Sequence, residues 1–224
     1  MTDWIYSALW LTLKIATLAT LLTLVVGIPL ARWLARRHHW ASRLLYIVFS
    51  LPMVLPPTAV GYLLLQLFAV DGPTGIRVFG MSAHWLLTWQ VAVIASAVMA
   101  FPIVLRSAKV AFEEVDPALE EMTRTLGYSS MQTFWKTTLP LAKRGVAAGA
   151  ILGFTRAASE FGATVTVAGN IPFQTQTLPS AIFAAQQAGR DSHAWVLIVV
   201  ALITGFLAMA VAEWLMGRTR RRDL

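Results

Sequence analysis

The sequence predicts an all-α polytopic integral membrane protein with about five transmembrane helices. Three observations predict it. Of the 224 residues, 57% are hydrophobic and only 13% charged, against about 25% charged in an average soluble domain. The apolar residues lie in long uncharged runs that suit about 30 Å of hydrocarbon. The Lys and Arg residues gather in the intervals on one side of those runs. A mean hydropathy of +0.65 agrees.

The first span is expected over residues 10–31. Ile15–Ala31 is uncharged, Lys14 sits near its outer end where it can snorkel, and Trp4, Tyr6 and Trp10 form an interfacial aromatic belt. Asp3 is the only charge before Lys14, so a cleavable signal with a basic leading region is not expected. A short basic loop, Arg32–Arg43, follows. The second span is expected over 44–70. It has no charge but is interrupted by Pro52, Pro56 and Pro57. Proline frees backbone carbonyls, so a broken helix in a membrane faces protein or a water-filled path. The small residues of Pro57-Thr58-Ala59-Val60-Gly61 would let another helix approach closely. Asp71–Gly75 reads as a turn.

The third span is expected over 85–105, continuing as a helix into water through Arg106, Lys109, Glu113 and Glu114. The fourth is expected over 145–163 and carries Arg156 and Glu160. Residues 165–191 read as an outer loop or a partly re-entrant segment, with a turn at Gly169–Pro172 and a short helix Pro179–Gln187 stopped by Gly189. The fifth is expected over 194–212, ahead of Arg218, Arg220, Arg221 and Arg222. No repeat or linker divides the chain, which reads as one domain, 1–224.

Orientation follows from the basic residues. The loop Arg32–Arg43 holds four, the interval Arg106–Arg144 six and the C-terminal tail four, fourteen of the eighteen in the chain. Five spans with the N-terminus outside and the C-terminus in the cytoplasm put all three groups inside. The net charge of +7 is therefore a topology signal and not a nucleic-acid footprint.

The interval 116–140, DPALEEMTRTLGYSSMQTFWKTTLP, stands apart as a polar stretch between apolar runs. Asp116 is suited to cap a helix that Pro117 begins. Leu119, Met122 and Leu126 fall on one face, and Glu120 and Arg124 are spaced to pair at i, i+4. Gly127 suits a left-handed stop. Ser129 with Gln132 forms a capping box for a second short helix, and Pro140 ends that helix or opens the next span. The result is a helix–turn–helix with one apolar face.

The chain carries no catalytic constellation. No Gly-x-x-x-x-Gly-Lys-Ser/Thr loop is present, so ATP-driven work must come from a partner. The absence of cysteine excludes disulfides and thiolate metal sites. His38 and His39 are adjacent in a basic loop, and His84 and His193 are solitary, so no metal site is expected. Arg156 and Glu160, at i, i+4 inside a span, are either an internal ion pair or part of a lining for an anion path.

Interval 116–140 resembles the signature of permease subunits of bacterial binding-protein-dependent ABC importers: Glu-Ala-Ala, three residues, Gly, nine residues, Ile-x-Leu-Pro. Here Glu121-Met122-Thr123 is followed by three residues and Gly127, then by nine and Thr137-Thr138-Leu139-Pro140. The spacings agree; Met122, Thr123 and Thr137 depart. The resemblance implies a type I ABC-importer transmembrane domain in which Glu120, Glu121, Arg124, Gly127, Leu139 and Pro140 belong to the segment that couples to an ATPase. Ser159–Thr164, Val167–Pro172, Thr175–Ile182 and Leu51–Leu65 further resemble the permease of molybdate importers, with sulfate and tungstate importers as the near alternatives and a proton-coupled carrier as the remote one. Pro56, Pro57, Thr58, Gly61, Arg156, Ser159, Glu160 and Gly162 are then candidates for the pathway or for contacts between spans. The implied partners are an ABC ATPase that binds ATP and Mg, a soluble oxyanion-binding protein, a second permease copy and the bilayer of a bacterial inner membrane. No cofactor is implied in this chain.

Overall fold

The computed structural model describes residues 2–37, 39–69 and 85–221, without the side chains of Thr2 and of residues 211–221. The Asp71–Gly75 turn, His38, Arg77, His84 and Arg222 lie outside the described residues. Everything described is helix or connection. The order is α1 Thr2–Ala35, α2 Trp40–Val54, α3 Pro57–Phe68, α4 Trp89–Glu113, α5 Pro117–Thr125, α6 Ser130–Thr133, a π-helical turn Phe134–Thr138, α7 Leu139–Ala158, α8 Gly162–Ala168, α9 Leu178–Gln187 and α10 Asp191–Arg221.

Three of these helices are long and apolar enough to cross a membrane: α1, α4 and α10. Helices α2 and α3 make a fourth crossing only as a pair, bent by 112° where they meet. The bend is dictated by Pro56-Pro57. Neither can donate a backbone N–H, and each drives the residue before it out of the helical region. Leu55 (ψ 144°) and Pro56 (ψ 136°) are accordingly extended, and Pro57 opens α3 at a position where a missing N–H costs nothing. Helix α7 has the length of a crossing, 20 residues, but Lys143, Arg144 and Arg156 near its two ends interrupt its apolar surface. It ends at Ala158 rather than at 163, so Glu160 sits in a break between α7 and α8 and not inside a helix.

Helix α4 is the hub. It packs along α1 on one side and α7 on the other. Small residues make both contacts close. Ala16 and Ala19 of α1 meet Ala97 and Ala100 of α4 in a buried layer with Ala157. On α7, Gly145, Gly149 and Gly153 recur every four residues along one face. A Cβ at these positions would stand 2.4 Å from Ala111 Cβ, 2.9 Å from Ser107 Cβ and 2.4 Å from Val104 Cγ2. The two backbones pack closer than side chains allow, which is how helices associate where lipid offers no hydrophobic drive. Ser107 Oγ completes the contact by donating to the Gly145 carbonyl at 2.8 Å. Helix α10 packs mainly against α9 and α7, and Trp195, Leu202, Phe206 and Leu207 on it are exposed.

Candidate functional site

The segment from Asp116 to Pro140 folds as its residues dictate. Asp116 Oδ1 accepts from the Ala118 amide at 2.9 Å, and Pro117 begins α5. Gly127 stops α5 with φ +90°, a conformation that a side chain disfavours. Ser129 and Gln132 form the reciprocal capping box. Pro140 then lies in the first turn of α7 and is the entry to that helix. Between α6 and α7 the chain widens into the π-turn Phe134–Thr138, which nothing in the sequence announces. Such turns concentrate at functional sites.

Helix α5 presents two faces. Leu119, Met122 and Leu126 are 42%, 64% and 78% exposed, an apolar stripe with nothing on it, beside exposed Met131 and Trp135. Glu121 and Arg124 are exposed as well. The opposite face carries Glu120, only 6% exposed. The expected Glu120–Arg124 pair does not form. Glu120 Oε1 instead accepts from Thr138 Oγ1 at 2.6 Å and lies 3.1 Å from Arg36 Nη2 at the end of α1. A buried carboxylate takes a buried-side cation and a hydroxyl over a solvated neighbour because its desolvation must be offset. Burial alone raises its pKa, yet the hydrogen bond from Thr138 and the Arg36 and Arg32 guanidinium groups outweigh that and hold it below the ordinary carboxylate value.

Arg36 also donates to the Val115 carbonyl at 3.1 Å. One turn earlier, the Arg32 guanidinium stands 4.5 Å from the centre of the Phe134 ring, which packs on Phe112. Thr123 and Thr137, two of the three departures from the motif, hydrogen-bond to each other at 2.9 Å and so tie α5 to the π-turn. Leu139 packs into the core formed by Ala31, Leu34, Leu105, Phe112 and Phe134.

The second group of candidates converges between α3 and α8. A Cβ on Gly61 would stand 2.8 Å from Thr166 Cβ and 2.9 Å from Ala163 Cα, and one on Gly162 2.9 Å from Pro57 Cβ and 3.3 Å from the Thr58 amide nitrogen. Pro57, Thr58, Gly61 and Gly162 are thus one close helix–helix contact. Pro56 and Ser159 are exposed, and Ser159 Oγ donates to the Arg156 carbonyl. Arg156 Nη1 and Glu160 Oε2 form an ion pair at 2.7 Å with Glu160 2% exposed. Glu160 Oε1 accepts from the Ala163 amide at 2.8 Å, capping α8. The pair is therefore an internal brace across the α7–α8 break.

The chain as a whole is similar to known proteins. Residues 24–221 match the family described as binding-protein-dependent transport system inner membrane component. The chain is 39% identical to the molybdenum transport system permease protein ModB of Escherichia coli (strain K12), covering 99% of this chain and 98% of that protein. It is 36% identical to the putative molybdenum transport system permease protein YvgM of Bacillus subtilis (strain 168), at 89% and 88% coverage. The sulfate transport system permease protein CysT of Salmonella typhimurium (strain LT2) is 32% identical, covering 97% of this chain and 79% of that one. Among solved structures, an inward-facing MetNI methionine ABC transporter chain superposes with a TM-score of 0.77 over 97% of both chains at 18% identity. A bacterial ABC importer of the acidic polysaccharide alginate does so with 0.78 over 97% of this chain and 80% of that one, at 14% identity.

Proposed function

The chain belongs to the family of binding-protein-dependent transport system inner membrane components, and on that premise we propose that it is the membrane-spanning permease of an ATP-driven molybdate importer. The observation that carries the substrate is the 39% identity with the molybdenum permease over essentially both whole chains. Sulfate is the second reading, favoured by the 32% identity with CysT; tungstate, of the same geometry and charge as molybdate, is the third.

In this reading the permease makes and breaks no covalent bond. ATP and Mg are bound by a separate ATPase, and the exposed stripe Leu119, Met122 and Leu126 is the surface that the ATPase receives. The N-terminus lies outside, and the end of the bundle bearing Arg36, Glu120 and the C-terminal arginines lies in the cytoplasm of the bacterial inner membrane. Substrate arrives from a soluble oxyanion-binding protein. Two permease copies related by a two-fold axis would enclose the pathway, with the exposed apolar faces of α2 and α10 turned to lipid or to the second copy. Closure of the ATPases moves α5, and the bundle alternates between outward and inward access.

The test is molybdenum accumulation from nanomolar molybdate, in cells lacking their own importer and supplied with this permease, its ATPase and its binding protein. Accumulation suppressed by tungstate and not by excess sulfate is expected. Suppression by sulfate, or no molybdenum accumulation by a correctly inserted complex, would refute the molybdate reading and move the substrate to the second one.

A further inference from the structure

The exposed face of α5 explains how a partner could grip the chain, but not how a pull on α5 reaches the bundle. The inward face does. On the reading that α5 docks on the ATPase, we propose that Arg36 is the positioning residue that delivers the movement of α5 to α1.

Four segments meet at one carboxylate. Glu120 comes from α5, Thr138 from the π-turn, Arg36 from the residue directly after α1, and the Val115 carbonyl, held by the same Nη2 of Arg36, from the α4–α5 connection. Arg36 is the member from α1 that binds α5 directly. The second tie from α1, Arg32 over Phe134, goes to the π-turn and not to α5. Thr138 Oγ1 and Arg36 Nη2 converge on the same oxygen, Glu120 Oε1, so a movement of the carboxylate with α5 draws on both Arg36 and the π-turn. Arg36 Nε is buried and meets no acceptor among the described residues. The guanidinium thus has a donor in reserve and can exchange acceptors as the segments shift, which a group with every donor engaged cannot do without loss.

Helix α1 is suited to carry the displacement. It packs along α4 and α7, and at its far end Thr12 Oγ1 accepts from the Leu178 amide at 2.8 Å, at the start of α9. A shift entering at Arg36 is therefore felt along the helix that borders most of the bundle. The exposed ion pair Lys109–Glu113 lies on α4 alone and cannot serve this role.

The experiment uses the whole importer, permease with ATPase and binding protein, in proteoliposomes, with molybdate as the probe. Uptake per ATP hydrolysed is the readout, because a merely structural residue would lower both quantities together. Arg36→Ala should co-purify with the ATPase in wild-type amount, while uptake per ATP falls at least about fivefold, the low end of ordinary coupling energies. Arg36→Lys should lie between, since the ammonium keeps a cation for Glu120 but sits on a shorter side chain without the planar guanidinium that sets the present geometry. A wild-type ratio in Arg36→Ala overturns the proposal. If Arg36→Ala does not assemble, Arg36→Lys decides, a wild-type ratio overturning the proposal and a lowered one supporting it. Failure of the substrate reading is distinguishable, because it appears in the unsubstituted complex as ATP hydrolysis without molybdate uptake; the ratio is then read with sulfate.

Discussion

Glu160 shows how one buried carboxylate can have two duties that its sequence position suggests only in part. Spacing from Arg156 suggests the ion pair, and the structure has it. The cap on the Ala163 amide is set by the break after Ala158, which the spacing does not show. The second duty changes what substitution should do. An arginine at 160 cannot accept from Ala163, so exchanging the two charges should not restore stability. Glu160→Ala removes both interactions and should destabilise by about 3 kcal/mol, near the lower end for breaking a buried pair. Glu160→Gln keeps an acceptor for α8 and should cost less. Thermal melting in detergent orders the three variants, and a stable charge exchange would refute the capping role. Gly127 is a different case. Open space surrounds the place where its Cβ would stand, so Gly127→Ala meets no clash and costs only the left-handed backbone, about 1–2 kcal/mol. It should insert normally and lower uptake more than hydrolysis, whereas wild-type uptake by Gly127→Trp would refute a coupling role for this turn.

Helices α4 and α7 meet as an element pair through three glycines. Gly153→Leu should force Val104 and the α4 backbone aside, with a loss of several kcal/mol of the kind seen when a close-packed core is overfilled. The melting temperature should fall clearly, while Gly205→Leu on the exposed face of α10, where a Cβ meets open space, should leave it nearly unchanged. Equal falls would refute the close approach. The α5 element has a pH signature instead. The Glu120 pKa is lowered on folding, so its contribution to docking α5 is complete above the unfolded value and is lost as pH falls through the folded one. The stability difference between wild type and Glu120→Gln should therefore be flat from pH 7 to about pH 5 and shrink below about pH 4. Melting curves across that range measure it, and a difference that grows on acidification would refute the assignment.

At the scale of the whole molecule, the bundle is a layered contact of α1, α4 and α7, with α3–α8 and α9–α10 attached to it. The apolar runs that form α1, α2–α3, α4 and α10, the helix–turn–helix at 116–140 and the break at Pro56-Pro57 were legible in the sequence. Each follows from interactions between near neighbours: an apolar run long enough to span, a cap three residues from its partner, a proline that no helix interior accommodates. The glycine contacts of α7 were legible in principle, as a spacing of four, but nothing in the spacing named α4 as the partner. Glu120 marks the limit. Its local partner by spacing is Arg124, and its actual partners, Thr138 and Arg36, lie 18 and 84 residues away in the chain. By itself the sequence determined which runs are long and apolar, the break at Pro56-Pro57 and which interval stands apart as polar, because these depend on local periodicity and on the cost of burying charge; it did not show the break after Ala158. Only the tertiary structure decided which face of α5 turns inward and which helix it holds. That choice depends on which buried cation and hydroxyl can together offset the desolvation of one carboxylate, and packing alone brings those groups to it.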